Sequence, residues 1–212
     1  EIMQNQNAPS PIMTLALAFM AIIWISPFGW LITNALDNTA SGQLRLPGEL
    51  GLGNFADALS GNSLRQMWNS LIIACGTATM TLIVASGSAY AMSRVHIPGR
   101  NTLLWTLVLL RMLPPTGILV PIYFAAQSFG LLNNLGIIVA LSVLNLPFAL
   151  LLLKNFFDTV PTELEEAAHV EGASLLTILR RVVLPMSRAG RAVVWFFTFT
   201  SAWNEFRFPL LF

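Results

Sequence analysis

Charge is scarce in this chain. Among 212 residues there are 11 Lys and Arg and 10 Asp and Glu, 10% in all, where soluble domains carry about 25%. Long stretches hold none. A soluble domain of this length could bury a good core but would still need a polar surface, so the shortage points to lipid as the surrounding solvent. Cysteine is scarcer still. The single one, Cys75, sits in an apolar run, which excludes an intrachain disulfide and reads as a small packing residue. Two histidines, His96 and His169, with that one cysteine give no metal-ligand cluster. A net charge of +1 offers no basic surface for nucleic acid. The phosphate loop G-x-x-x-x-G-K-S/T is absent, and the one lysine, Lys154, follows a run of leucines. The chain therefore does not hold ATP by that device. No Ser/His, paired-Asp or zinc-like constellation lies inside the apolar runs, which argues against an intramembrane enzyme. An ion-driven secondary transporter would need paired acids deep in several runs, and only Glu205 is so placed. Internal repeats and low-complexity tracts are also missing.

What is present is apolar length. A membrane helix needs about 20 mostly apolar residues, and five runs qualify: 12–36, 69–93, 102–125, 135–153 and 190–212. The first, second and fourth carry no charge. The third holds Arg111; the fifth holds Arg191 at its start and Glu205 and Arg207 near its end. The expected fold is all-α, a polytopic transmembrane helical bundle forming one membrane domain over 1–212. The first run is not expected to be a signal peptide, because residues 1–11 hold no Lys or Arg and the run is too long. The chain lacks an initiator Met, so its start is expected to lie upstream.

Basic residues in short loops stay in the cytoplasm. Arg94 and Arg100 flank one loop; Lys154, Arg180, Arg181, Arg188 and Arg191 belong to another; with five spans both lie on one side, opposite Arg45 and Arg65. This puts the amino terminus and the loop 154–189 inside the cell. The outer loop 37–68, with Pro47, Gly48, Gly51, Gly53 and Gly61, reads as turns and short surface helices. In the second span Ala74 and Ala78, Ala85 and Ala89, and Gly87 and Ala91 lie four apart, which allows close helix packing.

The loop 154–189 is far longer than a turn requires. From Thr162 it reads TELEEAAHVEGASLLTILRRVVLPMS. Thr162 with Glu165 fits a capping box, and Glu163, Glu165 and Glu166 suit the positive end of a helix dipole. Gly172 tolerates the left-handed geometry of a helix end. Ser174 can cap a second helix, whose Leu175, Ile178, Leu179 and Val182 share one stripe and which Pro185 ends. Periodicity alone leaves two readings open, a hairpin lying on the bilayer or a docking element for another protein. Glu166 suits either the dipole or a salt bridge to a partner's arginine.

Glu166-Ala167-Ala168, then Gly172, then Val182, Val183, Leu184 and Pro185 resemble the EAA loop of bacterial ABC importer permeases, with Val182 where the family usually has Ile. Met112-Leu113-Pro114-Pro115 with Val120-Pro121-Ile122-Tyr123, Asn155-Phe156-Phe157 with Val160-Pro161, and Trp203-Asn204-Glu205-Phe206 are similar to signatures of the carbohydrate branch. The likeness covers about residues 55–212 and is strongest to the second permease of maltose-type importers.

That resemblance implies a six-span type I importer permease in the bacterial inner membrane, with the last span missing from this chain. It implies a pseudo-symmetric pair with a second permease, an extracytoplasmic binding protein, and ATPase subunits docked on the loop. The chain itself would be no enzyme and hold no cofactor; ATP and Mg would bind the ATPases. Glu166, Ala167, Ala168, His169, Glu171, Gly172 and Ala173 would form the coupling contact. Import of a sugar is expected; glycerol phosphate or an amino acid is the alternative solute. Arg111, Pro114, Pro115, Trp203, Asn204 and Glu205 are the candidates for the substrate path. An intramembrane charge usually faces a cavity or a partner, prolines break the helix beside it, and an aromatic face next to hydrogen-bonding groups suits a sugar. Glu205 is a candidate partner for Arg111.

Overall fold

The computed structural model describes residues 10–39, 48–112 and 114–212, with the side chains of Arg111 and Pro115 left aside. They are helical throughout apart from turns and one isolated bridge between Asp37 and Leu50. The chain divides into two compact units, one up to Gln66 and one from Met67 to Phe212.

The first unit holds α1 (Pro11–Ala35) and α2 (Gly53–Ala58). The Ser10 hydroxyl caps α1 by accepting the Met13 amide at 3.3 Å, and Pro11 takes the first position, where a missing N–H costs nothing. With no charge in its 25 residues and its side chains exposed along its length, α1 suits a lipid solvent. The Asn54 amide closes its far end, donating to the carbonyls of Asn34, Ala35 and Asp37 at 3.3, 3.4 and 2.9 Å.

Beside that cap, the Asp37 carboxylate accepts the Thr39 hydroxyl at 2.8 Å and the amides of Thr39 and Glu49 at 3.0 and 3.2 Å. The Thr39 hydroxyl is the main cause, and together these donors hold the Asp37 carboxyl well below the usual carboxylate range. A depressed pKa contributes stability that is present above the unfolded value of about 3.9 and is lost as pH falls through the folded value. Asp37→Asn is therefore expected to lower hydrogen-exchange protection of the Thr39 and Glu49 amides at neutral pH. The native turn should keep that protection down to about pH 4. Equal protection in both proteins would contradict the assignment.

The second unit contains most of α3 (Gly61–Arg94), then α4 (Arg100–Arg111), α5 (Pro115–Ser128), α6 (Asn134–Asp158), α7 (Thr162–Val170) and α8 (Leu175–Ile178). A π-helical turn (Leu179–Val183) and α9 (Leu184–Met186) lead into α10 (Arg188–Trp203) and α11 (Arg207–Leu211). Among the described residues, α1, α3 and α6 are long and apolar enough to cross a membrane. The stretch expected as the third span is instead two helices. Pro114 is extended at φ −65° and ψ 127°, and Pro115 opens α5; a proline also pushes its predecessor out of the helical region. Pro121, expected to break the helix too, stays inside α5. The fifth stretch is also two helices, interrupted after Trp203.

Two apolar clusters hold this unit together, and α3 and α6 contribute to both. The larger joins Ala85, Ala89 and Met92 of α3 to Leu153 and Phe157 of α6, with Ile178, Val183 and Val194 from the segment beyond. The smaller joins Ile73 and Ala74 to Ile137, Leu141, Ala202 and Phe208. Ala74, Ala78, Ala85 and Ala89 are fully buried, so two of the three small-residue pairs serve close packing. The third does not pack within the chain, where Gly87 faces open space.

Candidate functional site

The loop between α6 and α10 folds into a hairpin of two short helices. α7 begins after Pro161, which makes no side-chain cap. The capping box expected from Thr162 and Glu165 is not formed, because Thr162 already lies inside the helix and Glu165 is turned inward. The corner follows the sequence reading. Gly172 has φ +85°, the Gly172 amide donates to the His169 carbonyl at 3.0 Å, and the Ala173 amide donates to the Ala168 carbonyl at 3.0 Å. This is a Schellman ending, which favours glycine at that position. The Ser174 hydroxyl then caps α8 by accepting the Thr177 amide at 3.4 Å.

Beyond α8 the expectation fails in two ways. Leu175 is 63% exposed and off the apolar stripe, while Val183, not assigned to it, is fully buried. Pro185 does not end the helix. The preceding π turn shifts the hydrogen-bond register, with the Leu184 amide reaching the Leu179 carbonyl, and the chain runs on into α10 with only a turn at Ser187. The Ser187 hydroxyl donates to the Val183 carbonyl at 2.7 Å.

The hairpin has two unlike faces. Ala168 and Ala173 pack against the larger cluster, with Ile178 and Val183 buried in it. Glu166, Ala167, His169, Glu171 and Gly172 are exposed. Around them the outward face is apolar and acidic: Val170 is 89% exposed and Leu176 54%, and Glu163 is exposed beside Glu166.

Adjacent glutamates face opposite ways because one residue is about 100° of helix. Glu165 points in and is buried. Its carboxylate accepts Arg94 Nε at 2.7 Å and the Tyr90 hydroxyl at 3.0 Å. Arg94 Nη2 also donates to the carbonyls of Phe157 and Val160, each at 2.9 Å, and Nη1 donates to the Ser93 hydroxyl at 2.9 Å. Ser93 in turn donates to Asp158, which is ion-paired to Lys154. None of these contacts was read from the sequence, where Arg94 counted only as loop charge and Glu165 as a cap. The one available signal was the four-residue spacing of Tyr90 and Arg94, which puts both on one face of α3.

The expected path residues lie at the two helix breaks. Pro114 precedes α5; the side chains of Arg111 and Pro115, like Arg45, lie outside the described residues. Trp203 is 43% exposed and ends a stacked row, with Trp195–Phe199 centroids 5.4 Å apart and Phe199–Trp203 centroids 5.7 Å apart. The Asn204 amide turns back to the Thr200 carbonyl at 2.8 Å. Glu205 is paired with Arg207, whose Nε and backbone amide reach it at 2.8 and 2.9 Å. That carboxylate therefore has a neighbouring cation as partner, and the side chain of Arg111, its other candidate partner, lies outside the described residues. Among the described residues no group of three or more His, Cys, Asp or Glu could hold a metal.

Residues 81–212 match the family of binding-protein-dependent transport system inner membrane components. The chain belongs to that family. This permease is 30% identical over 92% of its length to the diacetylchitobiose uptake system permease NgcG of Streptomyces coelicolor, of which it spans 66%. It is 30% identical over 91% of its length to the galactooligosaccharides transport system permease GanQ of Bacillus subtilis, of which it spans 70%. Its fold is that of a bacterial ABC transporter crystal structure involved in import of the acidic polysaccharide alginate. The TM-score is 0.71 at 24% identity, over 92% of this chain and 70% of that one. The all-helical fold and the reading as a transport permease rather than an enzyme stand on these findings.

Proposed function

We propose that this permease is a membrane-spanning subunit of an ABC importer that admits a sugar handed over by a binding protein, and that its hairpin is the seat of a separate ATPase subunit. The observation that carries the docking reading is the division of α7 into two faces. Glu165 is used internally, whereas Glu166 is exposed and free to meet a cation on a partner. The exposed Val170 and Leu176 supply apolar area of the kind a protein interface buries. The nearby open corner at Gly172, with nothing within 4 Å of a built Cβ, leaves room for close approach. Sugar as the cargo is supported by the relatives NgcG and GanQ, permeases of diacetylchitobiose and galactooligosaccharides uptake systems.

In this reading the hairpin lies in the cytoplasm, as does the amino terminus, and a second permease completes the pathway. Alternating access then follows closure of the ATPase pair, since the chain itself carries no phosphate loop. The breaks at Pro114 and after Trp203 expose backbone polar groups, as discontinuous helices do at transporter sites.

The test is co-purification of the ATPase and uptake of labelled diacetylchitobiose and galactooligosaccharides by the assembled importer. Glu166→Lys reverses the outward charge and is expected to release the ATPase and abolish uptake. Gly172→Trp forces a bulky residue into the left-handed region, at a cost of about 1 kcal/mol or more, and places it on the docking face. It should uncouple uptake while the chain still folds. Full ATPase recruitment and uptake in both variants would refute the docking reading.

A further inference from the structure

We infer that Arg94, Tyr90 and Glu165 form a latch that locks α7 to the ends of α3 and α6, so that the two-helix core moves with the hairpin rather than flexing against it. The inference rests on the docking reading above and deepens it, because it says where a push on the hairpin goes. The observations are geometric. Tyr90 and Arg94 lie one turn apart on α3, and each binds a different oxygen of the same buried carboxylate on α7. The same guanidinium reaches past the end of α6 to the Phe157 and Val160 carbonyls. The Phe157 carbonyl also accepts the Val160 amide at 3.0 Å in the closing turn of α6, and the Val160 carbonyl belongs to the link between α6 and α7. One side chain thus joins three elements. The chain Lys154–Asp158–Ser93–Arg94 adds a second strap between α6 and α3.

The pair is largely removed from water, with 16% of the Arg94 side chain and 10% of the Glu165 side chain exposed. Breaking it during a cycle would separate two charges in a low dielectric and take a charged donor from the Phe157 and Val160 carbonyls. Among the described residues no ion pair ties the other end of the hairpin. It passes through the π turn to α10, and π turns inside α-helices recur at functional sites. Load applied at α7 is therefore carried by α3 and α6, and any change of angle is taken up beyond α8. Arg94, Tyr90 and Glu165 act here as positioning residues; Glu166 remains the docking residue.

The test uses the assembled importer, with Cys75→Ser removing the native thiol and spin labels placed at Val95→Cys and at Leu164→Cys, a position on α7 outside the docking residues. Both sites are exposed, on α3's end and on α7. Distances between the labels are read without nucleotide and after trapping with Mg-ATP and vanadate. With the latch intact, the distribution should stay narrow and unshifted between the two states. Glu165→Gln should broaden it and lower solute moved per ATP hydrolysed roughly tenfold, while the ATPase still co-purifies. Arg94→Lys keeps the charge but cannot span Glu165 and both carbonyls, so it provides an independent variant with the same direction of effect. A distance that shifts on trapping in the native protein, or stays narrow in both variants, would overturn the latch. So would loss of the ATPase from Glu165→Gln as complete as from Glu166→Lys, because Glu165 would then be a docking residue. Retention of the ATPase and of uptake by both Glu166→Lys and Gly172→Trp would defeat the docking reading alone, and the label distances would still decide the latch.

Discussion

Arg94→Ala is expected to lower the stability of the helical core by about 3 kcal/mol, the largest loss predicted for any single side chain in this protein. Two costs add. The Glu165 carboxylate, one of the buried charged groups, would keep only the Tyr90 hydroxyl as partner. Removing one member of a buried pair costs more than the pair contributes, because the survivor stays desolvated. The Phe157 and Val160 carbonyls would also lose the charged donor they share, a further cost, although the Phe157 carbonyl keeps the Val160 amide. For a chain of this size that is a fall in melting temperature of roughly 6 to 12 °C, measurable by thermal unfolding in detergent. Tyr90→Phe is the internal control. It deletes one hydrogen bond to a charged acceptor and should cost about 1.5 kcal/mol, well short of the arginine variant. Equal effects from the two, or no effect from Arg94→Ala, would contradict the assigned network.

The second large effect is steric. Gly190 opens the last long helix directly over the Phe156 ring. A Cβ built there would stand 2.3 Å from two ring carbons and 2.9 Å from the Phe156 Cβ. No side chain fits unless α10 lifts off α6, and both helices feed the larger cluster through Val194, Leu153 and Phe157. Gly190→Val is expected to cost about 2 kcal/mol or more, the penalty for overpacking a filled interface. A double-mutant cycle separates this from a loss of helix propensity. A Phe156→Ala background removes both ring contacts at 2.3 Å and leaves only the 2.9 Å approach to the Cβ, so the two changes should be non-additive by at least about 1 kcal/mol in the favourable direction. Strict additivity would show that the glycine is needed for another reason.

Neither contact is legible in a linear reading. Gly190 marks the start of an apolar run, and nothing in its neighbours shows that an aromatic ring from α6 lies opposite. Arg94 reads as one more basic residue at a membrane edge. Its role depends on α3 ending within reach of two other elements at once. The break after Trp203 was missed for a related reason. The segment Asn204-Glu205-Phe206 holds no proline or glycine. The Glu205 carboxylate instead takes the Arg207 amide, the donor that a continuing helix would have given to the Trp203 carbonyl. The break at Pro114 was foreseeable because it needs only the covalent chemistry of proline. The same chemistry misled at Pro185, where the register shift of a π turn let the helix run on through a residue without an amide hydrogen.

Local chemistry and solvent preference were enough to dictate much of this protein. Runs of uncharged residues dictated lipid-facing helices, because burying a charge in hydrocarbon costs more than any loop can return. Gly172 and Ser174 dictated the corner of the hairpin, because φ and capping depend on neighbours within a few residues. What only the tertiary structure decided is which of two adjacent glutamates is buried. Glu165 and Glu166 are chemically the same, and each could cap, dock or pair. The choice belongs to the ends of α3 and α6, which supply a hydroxyl and a guanidinium on one side of α7 and leave the other side open.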